Sequence, residues 1–201
     1  MTSTSTTRAA PGVATRRDSG LTALILGLFA AGWFSWTPEA SGSLAVTLEI
    51  GGALAIVVAV FGGVRAIRAR QTGGVLNEPV AARRYGMLVA VEFTVGGAGA
   101  VGLSAAGAAA FVPVWICAVV GLHFFPLASV LRAPLTRWLG VAVTTVAAAG
   151  LLVGVFSDAA PSTVTGTGAG VALLSYAILM LVGSGPSGRS SVAVSESIVT
   201  P

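Results

Sequence analysis

The chain has 201 residues, of which 55% are apolar and only 9% are charged, and its mean hydropathy is +0.91. A soluble domain carries roughly 25% charged residues, so this composition excludes an ordinary soluble domain, and it excludes a disordered chain as well. The net charge of +4 would suggest nucleic-acid binding in a soluble protein. All eleven basic residues are arginines in short segments beside apolar stretches, so we assign them to membrane orientation and expect no nucleic-acid partner.

The chain contains one cysteine, Cys117, and one histidine, His123. A single cysteine excludes an internal disulfide and a cysteine-rich metal site. A single histidine excludes a haem held by two histidines of one chain, and it excludes the HExxH zinc motif. The segment from Gln71 to Pro79 has no Walker A pattern and no lysine, which argues against nucleotide binding. We therefore expect no metal site and no cofactor.

Six stretches of the sequence are long and apolar enough to cross a bilayer as helices. Such a helix needs about 20 mostly apolar residues to cross roughly 30 Å of hydrocarbon. Helices are preferred over a barrel because the apolar runs are continuous and do not alternate with polar residues. The predicted spans are residues 21–36, 44–64, 86–106, 111–131, 138–156 and 164–183.

These spans predict an all-α fold, a bundle of six transmembrane helices that occupies residues 21–183. Residues 1–20 and 184–201 are rich in serine, threonine and glycine, and we expect both to be disordered tails. The connection at residues 65–85 is long. The boundary between the third and fourth spans is weakly marked, because residues 105–110 are small rather than polar.

The arginines provide an independent test of the span count. With six spans, all of them lie on one side of the membrane, whereas the opposite loops contain only Glu39 and Asp158 among ionisable side chains. The positive-inside rule then places both termini in the cytoplasm. Aromatic residues near the span ends are expected to anchor the two interfaces. They are Trp33, Trp36 and Trp115 at the outer interface and Tyr85 and Trp138 at the inner one.

A signal peptide is an alternative explanation of the first span. Arg16 and Arg17 precede the apolar run, and Ala40 is a candidate cleavage point. The run ends in the residues WFSW, which suit a membrane interface better than a peptidase site. We favour a retained span, with cleavage as the alternative.

Three ionisable residues, Glu49, Glu92 and His123, lie inside the predicted spans. A charge at the centre of a membrane helix costs roughly 2.5–3.5 kcal/mol on insertion scales, so such residues are candidates for function. At about 1.5 Å per residue, Glu92 and His123 lie about 9–12 Å from the cytoplasmic ends of their spans. An antiparallel hairpin of these two spans would let them meet. Glu49 lies about 7–8 Å from the outer end of its span, and we expect it outside this contact.

The surroundings of the two residues differ in kind. Glu92 shares a helical face with Gly96 and Gly99, and such small residues let a neighbouring helix approach closely. Pro126 follows His123 by three residues and has no N–H, so the carbonyl of Leu122 loses its helical partner. We therefore expect a helix break at Pro126.

Two explanations of Glu92 and His123 compete. In the first, they form a proton-binding or solute-binding site within the membrane. In the second, a buried hydrogen-bonded pair merely fixes the packing of two helices. A third outcome is that the side chains do not meet. Glu49 is likewise either functional or a local contact near the outer interface.

The segment around His123 resembles a sequence pattern of known proteins. Residues 115–128 read WICAVVGLHFFPLA, which resembles a segment of uncharacterised small multi-pass bacterial membrane proteins with a tryptophan, then VGxHF and PLA. The arginine-only, alanine-, glycine- and valine-rich composition is similar to that of actinobacterial proteins. The resemblance implies a protein of the bacterial cytoplasmic membrane, and it implies no activity.

The lipid bilayer is the first expected partner of the chain. Two classes of function remain for such a membrane protein. The first is a non-enzymatic membrane subunit or scaffold, which packs through glycine-rich faces with a membrane-protein partner or in a homodimer. The GxxxG pairs Gly150/Gly154 and Gly166/Gly170 allow close packing of helices, although such pairs also arise by chance in a chain so rich in glycine and alanine. The second is a small proton-coupled carrier that uses Glu92 and His123. We favour the subunit and expect no enzymatic activity, because the chain lacks a histidine pair for a metal and its serines lack a base other than His123.

Overall fold

The computed structural model describes residues 16–37, 39–69, 79–131 and 133–183. The predicted tail at 184–201, and residues 1–15 of the predicted tail at 1–20, lie outside them. This part of the chain contains six α-helices and no strand. The helices are α1 (Arg16–Ser35), α2 (Gly42–Arg68), α3 (Pro79–Ala105), α4 (Val112–Val130), α5 (Leu135–Phe156) and α6 (Pro161–Gly183), with a 3-10 turn at Ala109–Phe111 before α4. With that turn counted in α4, each is long and apolar enough to cross a membrane. The predicted all-α bundle of six transmembrane helices is confirmed.

Four helices, α1, α2, α3 and α5, extend beyond their predicted spans at the arginine-rich end. α1 begins at Arg16, so residues 16–20 are helical rather than part of a tail. α3 begins at Pro79, so Arg83 and Arg84 are helical rather than part of a loop. Hydropathy marks the part of a helix inside hydrocarbon, whereas backbone hydrogen bonding continues past the membrane surface. The predicted boundaries were therefore too narrow.

The weakly marked boundary between the third and fourth spans is a defined turn. Gly107 follows α3 with φ of +76°, a conformation that favours glycine. The N–H of Ala108 donates to the carbonyl of Leu103 at 2.8 Å, and that of Gly107 donates to the carbonyl of Ser104 at 3.1 Å. These two bonds form a Schellman motif, which ends α3 and separates it from α4.

The contacts between helices set their directions. Glycines near the start of α1 face residues near the end of α2, and Gly150 of α5 faces Thr165 of α6. Together with the α3–α4 and α4–α5 contacts, these pairs make α1 antiparallel to α2 and each helix from α3 to α5 antiparallel to the next. Gly166 near the start of α6 faces Trp33 near the end of α1, so α6 is antiparallel to α1 as well. Residues 16 and 183 therefore lie at the same end of the bundle, together with the arginines at the ends of α2, α3 and α5. Glu39 and Asp158 lie at the other end.

α6 lies at the centre of the bundle. It packs against α1, α2, α4 and α5, while α1 also packs against α2 and α5 also packs against α4. Among the described helices, α3 alone packs against a single other helix, which is α4. Gly96 is the one residue of α3 that is buried. α2 and α3 follow each other in the sequence but do not touch.

Glycines allow α1 and α2 to pack backbone to backbone. A Cβ atom at Gly62 would lie 2.6 Å from the backbone nitrogen of Leu24 and 2.7 Å from the carbonyl oxygen of Gly20. A Cβ atom at Gly27 would lie 2.8 Å from the carbonyl oxygen of Ala55. A side chain does not fit at these distances, so close approach depends on glycine here.

The two glycine pairs noted in the sequence pack against other helices of the same chain. A Cβ at Gly166 would lie 2.8 Å from the carbonyl oxygen of Trp33, and one at Gly170 would lie 2.7 Å from the ring of Phe34. A Cβ at Gly150 would lie 2.6 Å from a methyl carbon of Thr165. These faces therefore hold α6 against α1 and α5, which is the close helix packing that the glycine pairs indicate.

Polar contacts hold both ends of α6 to the first two helices. Nη1 of Arg65 donates to the carbonyl of Leu181 at 2.6 Å, in the last turn of α6, where carbonyls lack helical partners. At the opposite end, Oγ of Ser162 donates to Oε2 of Glu39 at 2.6 Å. A cation at a helix C-terminus and a carboxylate at an N-terminus also match the helix dipole.

Trp33 was expected at the outer membrane interface, but the structure buries it. It is only 4% exposed and lies against α6 in the core, whereas Trp36 is 36% exposed and Trp138 is 72% exposed. Position near a span end does not decide which way a side chain points. The belt prediction therefore fails for a residue whose helix face turns inward.

We predict that Gly62→Ala destabilises the bundle, because its new methyl group would meet the backbone of α1. The expected loss is about 1–3 kcal/mol of unfolding free energy, as for other overpacked sites. Gly63→Ala is the matched control, since a Cβ there lies 3.6–3.7 Å from Leu24 methyl carbons, an ordinary contact. Thermal unfolding in detergent measures both. Equal stability of the two variants would contradict this packing.

Candidate functional site

The structure brings together two of the three ionisable residues predicted inside the spans. Nδ1 of His123 on α4 lies 3.5 Å from Oε2 of Glu92 on α3. The His123 side chain is 8% exposed and that of Glu92 is 19% exposed. The pair therefore lies in the contact between α3 and α4, as the estimated depths of the two residues suggested.

The imidazole of His123 has a second partner on α3. It forms a hydrogen bond with the backbone of Leu88. Leu88 precedes Glu92 by four residues, so its carbonyl lies one helical turn away from the carboxylate. His123 thus faces two successive turns of α3, and these contacts set the register of α4 against α3.

A second polar contact joins α3 to α4 nearer the turn at Gly107. Nε1 of Trp115 donates to the carbonyl oxygen of Val95 at 3.1 Å. Gly99 makes room for the indole, because a Cβ atom there would overlap the Trp115 ring. Trp115 and His123 are eight residues apart, or about 12 Å along α4. The sequence placed Gly99 on the correct face, but Trp115 was assigned to the outer interface rather than to this contact.

Glu49 lies apart from the pair. It is exposed on α2, and α2 does not touch α3. Together with Ser35 and Thr37, it lines an open cleft between α1 and α2 near the end of the bundle opposite the arginines. The prediction that Glu49 stays outside the Glu92–His123 contact agrees with this placement.

Pro126 does not break α4. The helix runs from Val112 to Val130 with Pro126 inside it. Proline removes one N–H, but packing against neighbouring helices maintains the helix path on both sides. The expected helix break is therefore corrected to a single missing backbone hydrogen bond within a continuous helix.

A cavity of about 190 Å³ opens near the arginine-rich end of the bundle. Five helices line it, since α1, α3, α4, α5 and α6 all contribute residues. Most of the lining is apolar, but the hydroxyls of Thr136 and Tyr176 face each other at 2.9 Å. Glu92 and His123 are not among the lining residues. Sequence reasoning missed this cavity, because hydroxyl groups on separate spans give no signal of being neighbours.

The arrangement limits what the Glu92–His123 pair can do chemically. A carboxyl group and an imidazole can share a proton, and both can hydrogen-bond a solute. No three of the His, Cys, Asp and Glu side chains in the described residues are grouped to hold a metal ion. The clearest role of the Glu92–His123 pair in this geometry is to attach α3 to α4.

Comparison with known proteins identifies no relative, since no protein-family profile, no curated protein and no solved structure matches the chain significantly. The similarity of residues 115–128 to bacterial membrane proteins stays a prediction. A function for the chain therefore has to be argued from the geometry of its helices.

We predict that Glu92 and His123 stabilise the α3–α4 contact jointly. Glu92→Ala and His123→Ala should each lower the unfolding free energy, and a double-mutant cycle should give a coupling of about 0.5–1.5 kcal/mol, the range of interhelical hydrogen bonds in membranes. Glu49→Ala is the control and should leave stability unchanged, because that carboxylate is exposed. Strictly additive effects of the two substitutions would contradict a joint contact.

Proposed function

We propose that the chain is a non-enzymatic subunit or scaffold of a membrane complex, and that α3 is the helix that docks with the partner. The observation that carries this proposal is the isolation of α3. It is 27 residues long, yet among the described helices it packs against α4 alone. A helix with so few contacts in its own chain has most of its surface available to lipid or to another protein.

The surface of α3 that faces away from α4 favours a protein over lipid. At 100° per residue, Gly86, Ala90, Thr94 and Gly97 lie together on the side opposite Glu92, and all four are exposed. Apart from the local backbone of α3, no described atom lies within 4 Å of the position of a Cβ at Gly86 or Gly97. Glycine in a helix costs up to about 1 kcal/mol relative to alanine, and lipid contact gives nothing in return. Small residues on one face do favour close approach of a second helix.

The partner is either a different membrane protein or a second copy of the chain. In both cases the docking surface is the small-residue face of α3, because the glycines of α1, α5 and α6 named above are already covered. The membrane is proposed to be the bacterial cytoplasmic membrane. The arginine-rich end would face the cytoplasm according to the positive-inside rule, so that both termini are cytoplasmic.

A small proton-coupled carrier is the second candidate. The specific observation in its favour is the contact between His123 and Glu92 at 3.5 Å, since such a pair can bind and release a proton. The carrier would require Glu92→Gln to abolish proton-coupled flux into proteoliposomes while the fold survives. The pair lies between two helices and does not line the cavity, which makes this function the weaker candidate.

We predict that the full-length tagged chain, gently solubilised from its own membrane, carries a stoichiometric protein partner in native mass spectrometry. Gly97→Leu should release most of the partner, because its side chain would occupy the docking surface. Gly32→Leu on α1 is the matched control, since a Cβ at that position also has nothing within 4 Å. A monomer that carries only lipid or solute, or a complex unaffected by Gly97→Leu, would contradict the proposal.

A further inference from the structure

The cavity at the arginine-rich end has an apolar interior and a polar rim. Side chains such as Leu26, Phe124 and Leu139 line it deeper in the bundle, while Asp18, Thr136 and other polar residues lie nearer the helix ends. Its volume of about 190 Å³ exceeds the roughly 150 Å³ of an engineered apolar cavity that holds benzene. The space is therefore sufficient for the polar end of an organic molecule together with a short apolar part.

The hydroxyl pair within the cavity has an unused hydrogen-bond donor. Thr136 is 5% exposed and Tyr176 is 8% exposed, and their oxygen atoms are 2.9 Å apart. One hydroxyl donates to the other, so the accepting group still has its own hydrogen. Neither hydroxyl forms another hydrogen bond with the described residues. A buried O–H without an acceptor is unfavourable, and an oxygen atom of a ligand would satisfy it.

The charge and position of the lining restrict the ligand further. The described lining contains no arginine to pair with an anionic head, and its one carboxylate, Asp18, already has a partner. α1 and α3 both line the cavity, yet they do not pack against each other. Because no backbone contact closes the space between these two helices, we place the exit of a chain into the surrounding bilayer there. An uncharged head with one apolar tail fits these conditions.

We propose that this cavity binds a single-chain amphiphile with an uncharged, oxygen-bearing head. The head oxygen accepts a hydrogen bond from the Thr136–Tyr176 pair, and the first part of the chain packs against Leu26, Phe124 and Leu139. The remainder of the chain leaves between α1 and α3. This site does not depend on the partner proposed for α3, because its lining belongs to one chain.

The test uses a diazirine-bearing 1-hexadecanol as a photoreactive probe on the full-length protein in detergent. We expect saturable labelling of peptides that line the cavity, with displacement by unlabelled 1-hexadecanol. Ile25→Trp should reduce this labelling at least fivefold, because Ile25 lines the cavity and tryptophan fills it. Leu28→Trp is the matched control on α1, since Leu28 is 52% exposed and lies outside the lining, whereas Ile25 is 41% exposed.

A second variant tests the role assigned to the hydroxyl pair. Tyr176→Phe keeps the ring but removes the hydroxyl, and we expect the probe to bind about fivefold more weakly, as for the loss of one hydrogen bond. Thermal unfolding should show that both cavity variants remain folded. Labelling that does not saturate, that spreads evenly over lipid-facing helices, or that is equal in Ile25→Trp and Leu28→Trp would overturn the site. Unchanged binding by Tyr176→Phe would overturn recognition of the head.

Discussion

Direct contact between helix backbones is the interaction on which the rest of the bundle depends. Lipid tails are as apolar as leucine, so helices inside a membrane gain little from burying apolar side chains against each other. They gain instead from close packing, which requires glycine at the points of contact. Gly20 and Gly62 join α1 to α2, and Gly166 and Gly170 join α6 to α1. The central place of α6 follows from these contacts.

α3 is held by a different kind of contact. Its attachments to α4 are polar: Trp115 reaches the carbonyl of Val95, and His123 reaches Glu92 and the backbone of Leu88. Interhelical hydrogen bonds in membranes average about 0.6 kcal/mol, so a few polar contacts of this kind contribute on the order of 1–2 kcal/mol. This is enough to set the position of α3 on α4. It leaves the opposite face of α3 unused, which is what a docking helix requires.

The number of spans and the relative depth of Glu92 and His123 were readable from the sequence, because hydropathy and residue spacing report length and depth. Rotation of a helix about its axis is not encoded so directly, and Trp33 shows the consequence: it points into the core rather than toward the interface. The sequence also does not show which spans pack against each other. Nothing in the sequence places Thr136 beside Tyr176, or α2 away from α3. Gly107, in contrast, is a glycine of the kind that ends helices. The small residues around it made this signal hard to recognise in the sequence.

The most direct test of the docking role of α3 is footprinting with a lipid-soluble photoactivated carbene in the native membrane. Phe93 on α3 and Phe61 on α2 are both 66% exposed in the isolated chain, so they form a matched pair. If a partner covers α3, Phe93 should be labelled several times less than Phe61 in the native membrane, and equally after purification of the chain alone. Equal labelling in the native membrane would show that lipid covers α3, and it would contradict the proposed role.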